Sequence, residues 1–364
     1  MKKQIDSLQG ARAVACFFVI LHHCYITKIV TPFVSVFIIL SGFLLSYNHF
    51  ERPELSLSPV SCLRFSIKRV KKLYVLYILT LLPIMALDLY FMRPAPGSAE
   101  FATIIKELIL SALLIQSWFP AHAYAFNGVA WYLSTSLFLY FCFPYIIRAI
   151  KRYKSQKTAF GVIILLYAAE LLLGFAATPL SAHVSSVDAV KFESWFSYVF
   201  PPMRVFDFAI GCNLGYIFLQ RGETERRGTA HVLDVACIVL FAVSAYIFLS
   251  GKTVLAAPTL RDTQLFLPFA AVFVYTFALG SGYLPRICTN KVTIFFGGLS
   301  GSIYLIHQDI IRFSYMLLDR VGLTLEQCKP ILLVVCVALS VALALLYEKA
   351  QAAIRARREV KATV

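Results

Sequence analysis

The chain has 364 residues, 59% of them hydrophobic and only 15% charged. With a mean hydropathy of +0.75, that composition excludes an ordinary soluble domain and points to a helical membrane protein. The formal net charge of +15 falls largely between the apolar runs, so it reads as topogenic charge at a bilayer and not as a nucleic-acid surface.

Taken in chain order, the apolar runs predict ten spans, at about 11–28, 31–48, 72–92, 129–147, 158–176, 203–219, 230–250, 265–281, 293–318 and 330–348. Each is near the roughly 20 residues that a bilayer requires. No polar stretch is long enough for a second folding unit, so residues 1–364 read as one all-α domain with a basic cytoplasmic tail over 349–364. The Met-Lys-Lys start leads into an apolar run without a convincing small-residue cleavage site, and it reads as a retained helix. Basic residues concentrate in alternate connections: Lys2 and Lys3, then 52–72, 148–157, the loop with Arg226 and Arg227, 286–291, and the tail with Arg358 and Lys361. The positive-inside rule then puts both termini on the cytoplasmic side.

Making residues 101–119 an eleventh span would invert everything after it. That segment therefore reads as an interfacial or re-entrant helix with Lys106 and Glu107 on its polar side. It lies in a long outer connection, 93–128, and a second one, 177–202, is rich in serine, proline and aromatics. The nine cysteines are odd in number and most lie inside apolar runs, which suggests packing and no disulfide framework.

In the first span, Arg12 and His23 stand eleven positions apart. Eleven helical residues make about three turns and rise roughly 16 Å, so both side chains share one face, the cation near one surface and the imidazole deeper. An ionisable group at that depth costs about 2.5–3.5 kcal/mol on insertion scales, so it marks either a function or a polar contact between helices. A neutral imidazole suits general-base work near physiological pH. His22 points about 100° away from His23 and receives no role.

Lys68, Arg69 and Lys72 open the third span. Such a run serves topology, and it also suits a phosphorylated ligand, because a helix N-terminus adds to the attraction of basic side chains for anions. Trp131, Tyr132 and Ser134 sit near the outer end of the fourth span, where aromatic anchoring is the simpler explanation. Arg204 and Asp207, one turn apart, are spaced to pair with each other. In the ninth span Ser300, Tyr304, His307, Gln308 and Asp309 need polar partners. No phosphate-binding loop, dinucleotide fingerprint, nucleophile elbow or paired-cysteine metal spacing occurs, and adjacent His22 and His23 lack the spacing of metal ligands on a helix.

Five segments in order resemble the acyltransferase 3 family of integral membrane acyltransferases, from residue 7 to about 345. Ser7 to Arg12 is similar to that family's L-D-G-L-R-G opening, and its arginine-to-histidine spacing ends on His23. Phe37 to Leu44, with Ser41 and Gly42, resembles F-F-x-x-S-G-F-L. Lys68 to Tyr77 resembles R-R-x-x-R-I-x-P-x-Y, with lysines at 68 and 72 and Val75 in place of proline. Trp131 to Ser134 resembles W-x-L-S, and Ser300 to His307 resembles S-x-x-x-Y-L-x-H. Ser136 and Leu137 stand where many members carry an acidic residue, so no role transfers past Ser134.

The resemblance implies a bacterial inner-membrane O-acetyltransferase. It would move an acetyl group from cytoplasmic acetyl-CoA to a hydroxyl of a cell-envelope glycan, such as lipopolysaccharide O-antigen, capsule or exopolysaccharide. It implies the stand-alone form, without a fused esterase-like domain, with no permanently bound cofactor and no metal. The implied partners are the acyl-CoA donor, a glycan or lipid-linked saccharide acceptor and the lipid bilayer, with no nucleic acid. In that setting His23 is the base or a transient acyl carrier, Arg12 holds the donor or stabilises developing charge, and His307 is a secondary catalytic group. Lys68, Arg69 and Lys72 bind the donor, while Ser41, Gly42, Trp131 and Tyr304 are structural or orienting. Two alternatives stay open in the sequence: a transporter or permease of a polar solute, and an acyltransferase with another acyl donor or a lipid acceptor.

Overall fold

The computed structural model describes residues 4–184, 186–251 and 263–363. Lys2 and Lys3, and the side chains of Arg226, Arg227, Arg358 and Lys361, lie outside the described residues. What is described is 82% helical, with no strands. The elements are α1 (Asp6–His23), α2 (Thr31–His49), α3 (Pro59–Met92), α4 (Ala99–Ala112), α5 (Trp131–Ile150), α6 (Gln156–Ser181) and α7 (Ala189–Tyr198). They continue with α8 (Pro201–Gln220), α9 (Glu223–Ser250), α10 (Thr263–Leu279), α11 (Tyr283–Ile287), α12 (Lys291–Arg320) and α13 (Leu325–Thr363).

Each predicted span overlaps a helix, but α13 runs on to Thr363 and α3 begins at Pro59, so Lys68, Arg69 and Lys72 lie inside α3 and not at its N-terminus. Six helices or helical segments among the described residues are long and apolar enough to cross a bilayer: Thr31–His49, Pro59–Met92, Gly128–Ile150, Gln156–Ser181, Gly228–Ser250 and Glu326–Arg357. Outside that set are α10, with 17 residues, and α1, α8 and α12, which carry arginine, histidine and acidic residues. The 14-residue α4 is shorter than the roughly 20 residues a span needs, in keeping with a helix that does not cross.

The shift that bears most on the histidine is in α1. It begins at Asp6 and ends at His23, not at 28. Tyr25 adopts φ 61° and the chain turns, with Ile26 N donating to Leu21 O at 2.9 Å and Tyr25 N to His22 O at 2.9 Å. His23 is thus the last residue of its helix rather than a mid-span residue.

Packing of the bundle relies on close backbone approaches. A Cβ at Gly42 would overlap the Phe208 carbonyl oxygen, and one at Gly211 would overlap that of Ile39, so α2 and α8 cross with almost no side chain between them. In the same way Gly297 of α12 lets α1 approach at Gln9. Small residues at crossings are how membrane helices associate, since lipid gives them no hydrophobic drive to do so. Local signals fix several ends. Ser58 accepts from Ser61 N at 3.3 Å ahead of Pro59, and Asn290 with Thr293 forms a capping box. Asp188 accepts from Lys191 N at 2.9 Å, and that amide together with the Lys191 ammonium holds its carboxyl below the usual range.

Candidate active site between two cavities

The packing of α1 on α12 brings together two histidines far apart in sequence. His307 Nε2 lies 3.0 Å from His23 Nδ1, with ring centroids 5.0 Å apart. His23 Nδ1 is also 3.0 Å from Val19 O, and His307 Nδ1 is 3.3 Å from Ile303 O. Carbonyl oxygens only accept hydrogen bonds, so each Nδ1 carries the proton. His307 Nε2 then accepts from His23 Nδ1–H, shared with Val19 O. His23 Nε2 is left with a bare lone pair. The tautomers are inferred from this network, and one assignment satisfies every contact.

His23 lines a cavity of about 620 Å³ with Trp131, Tyr198, Tyr124, Gln308 and Arg312. Among the described residues, no acidic side chain is in its wall. Arg312 donates to Phe126 O at 2.8 Å and to Asp88 Oδ1 at 2.6 Å, which ties α12 to α3 and to the loop before α5. Next to it Asn127 donates to Leu305 O at 2.9 Å and to Asp309 Oδ1 at 3.2 Å. Asp309 thus finds the polar partner that its place in α12 demands.

A second cavity, of about 360 Å³, is lined by Arg12, Arg69, Lys72, Ser41, Tyr132 and Glu348, among others. Tyr304 lines both cavities. It packs against Tyr132 at 5.5 Å and Phe37 at 6.1 Å, and those two rings are 6.3 Å apart. On its far side it meets His307 at 5.9 Å. Tyr304 therefore stands between the Arg12 cavity and the His23 cavity, packed on Phe37 and Tyr132 in the wall of the first.

The structure distributes the sequence-predicted residues unevenly. Arg12, Arg69, Lys72, Ser41 and Tyr304 share the basic cavity, whereas His23, Trp131 and Tyr304 share the other. Arg12 and His23, on one helix, open into different cavities. His307 is fully buried behind His23. Lys68 is exposed and is not in the wall of the basic cavity, because that cavity meets the face of α3 that carries Arg69, Lys72 and Leu73. Ser41 Oγ is 2.9 Å from Tyr140 OH, and Gly42 serves the α2–α8 crossing. Ser134 Oγ donates to Leu114 O at 2.7 Å and lies 2.6 Å from Ser117 Oγ, so it anchors the loop after α4.

Arg204 and Asp207 do pair, and Arg204 Nη2 also donates to Ser35 Oγ at 2.9 Å. Glu170 of α6 is fully buried as well. The signal for Glu170, Asp88 and Arg312 was present in the sequence as lone charges in apolar runs. Tyr132 lies in the Trp131–Ser134 segment already singled out, whereas Tyr140 carried no signal, since tyrosine is common in membrane helices.

A family model described as an acyltransferase domain matches residues 5–349. The acyltransferase MdmB of Streptomyces mycarofaciens is 25% identical over 304 residues, which cover 81% of this chain and 71% of the relative. No solved structure matches the chain.

Proposed function

The chain belongs to the acyltransferase 3 family, and from that premise we propose that it transfers an acyl group, acetyl from acetyl-CoA, to a hydroxyl of a cell-envelope glycan across a bacterial inner membrane. Membership of an acyltransferase family makes the chain an enzyme. In this reading the chain has ten spans with both termini cytoplasmic, and the Arg12 cavity opens inward while the His23 cavity opens outward.

The single observation that supports it is the pair of cavities that share Tyr304 in their walls, one carrying Arg12, Arg69 and Lys72 and the other His23 with its unprotonated Nε2. Coenzyme A carries phosphates, and Arg12, Arg69 and Lys72 are the basic side chains on the cavity that would receive it. The acceptor hydroxyl enters beside His23. Its oxygen attacks the thioester carbonyl carbon while His23 Nε2 takes the hydroxyl proton. The C–S bond then breaks, and the proton passes to the departing sulfur, so that CoA leaves as the thiol. As His23 becomes cationic, its Nδ1–H is already held by His307 Nε2. His307 thus orients the base and stabilises the charge it acquires, the role a carboxylate plays in a catalytic triad. Arg12, in the wall of the other cavity, holds the donor.

Mass spectrometry of envelope glycans from cells with and without the gene tests this reading. A base-labile acetyl increment present only with the gene is expected. A larger increment would identify another acyl donor, a modified lipid another acceptor, and unchanged envelopes would contradict the reading.

A further inference from the structure

Arg69 is held from behind. Its Nη2 lies 3.2 Å from His49 Nε2, and its guanidinium sits 4.6 Å over the Phe65 ring. His49 Nδ1 is in turn 3.0 Å from Leu45 O. That carbonyl accepts, so His49 Nδ1 carries the proton and Nε2 offers its lone pair to Arg69, which can only donate. A neutral imidazole in this one tautomer is the form that fits. The ring is fixed edge-on by Phe65 at 5.8 Å and by Phe143 at 5.5 Å, and those two phenyl rings stack on each other at 5.6 Å. His49 itself is not in the wall of the basic cavity.

The choice of side chain is informative. A carboxylate behind Arg69 would orient it but cancel its charge. An imidazole lone pair orients the guanidinium and leaves the full positive charge for an anion in the cavity. Phe65 acts in the same sense, since a ring face fixes a cation without neutralising it. Arginine is a long, rotamer-rich side chain, and a ligand that must order it loses affinity in doing so.

We propose that His49 is a positioning residue for the acyl donor, holding the Arg69 guanidinium with its remaining N–H groups available to the phosphates of coenzyme A. This rests on the donor reading of the basic cavity. It makes no contact between His49 and the donor, so the effect is on binding of the donor and not on the acyl-transfer step.

The test is calorimetric binding of coenzyme A to the full chain in nanodiscs. The proteins compared are wild type, His49→Ala, His49→Gln, Arg69→Ala and the His49→Ala/Arg69→Ala double variant, with thermal unfolding of each as the control for folding. Glutamine places an acceptor oxygen near the position of Nε2. His49→Ala is expected to weaken binding about five- to tenfold, as loss of a preorganised charge-assisted contact does. His49→Gln should restore it to within about twofold, and His49→Ala should have no further effect once Arg69 is gone. If Arg69→Ala weakens binding but His49→Ala does not, or if the two effects add, the positioning role is overturned and the donor reading stands. If wild type does not bind coenzyme A, or Arg69→Ala binds equally well, the donor reading fails and takes this inference with it.

Discussion

His307 Nε2 lies 3.0 Å from His23 Nδ1, and each ring also turns its Nδ1 to a carbonyl oxygen of its own helix. A buried imidazole, His307, and a half-buried one, His23, so placed lock each other's tautomers. The arrangement leaves one nitrogen, His23 Nε2, as the basic atom of the pair. In the proposed mechanism the two histidines are unequal: one reacts, the other holds.

That inequality predicts different losses. His307→Gln keeps an acceptor near His23 Nδ1–H and should retain acyl transfer to within about tenfold. His307→Leu removes the acceptor and should lower kcat by about 10²-fold, within the range for an impaired general base. Initial rates of thiol release from acetyl-CoA in membranes supplied with acceptor separate the two. Equal rates for both variants would remove His307 from the mechanism.

Tyr304 borders both cavities and packs on Phe37 and Tyr132. Tyr304→Ala should join the cavities and admit water to the thioester. The expected outcome is a rise in acetyl-CoA hydrolysis without acceptor, with less product per thioester consumed. Tyr304→Phe keeps the ring and should stay coupled. Coupling is read as thiol released against acyl groups transferred, and tight coupling in Tyr304→Ala would mean the aromatic ring is no partition.

Arg204 and Asp207 are completely buried and paired, with Ser35 as a further partner. Removing one member leaves an uncompensated charge among helices, a loss of about 3–5 kcal/mol for buried pairs. Arg204→Met should therefore lower the unfolding temperature in detergent sharply, and Arg204→Met/Asp207→Leu should recover part of it. A single variant as stable as wild type would show that the cluster bears no structural charge balance.

Much of this site was legible in the sequence because its logic is local. The spacing of Arg12 and His23 on one helix needs only helical geometry, and the two residues do open into the two cavities. The end of α1 was not legible. Cys24, Tyr25 and Ile26 continue the apolar run, and the turn there uses a left-handed tyrosine with no glycine or proline to announce it. Lys68 and Arg69 are neighbours in sequence, but 100° of helix separates them. Which one meets the cavity depends on where α3 packs. The contact of His23 with His307, and that of His49 with Arg69, are tertiary facts, since neither helix pair is specified by any short motif.

The central claim is that His23 supplies the basic nitrogen for acyl transfer. The most direct measurement is the acyl increment on envelope glycans of cells carrying His23→Ala, alongside coenzyme A binding by the purified variant. His23→Ala should lose transfer by at least about 10²-fold, with binding and folding intact because Arg12, Arg69 and Lys72 line the other cavity. Transfer within a few-fold of wild type in His23→Ala would contradict it.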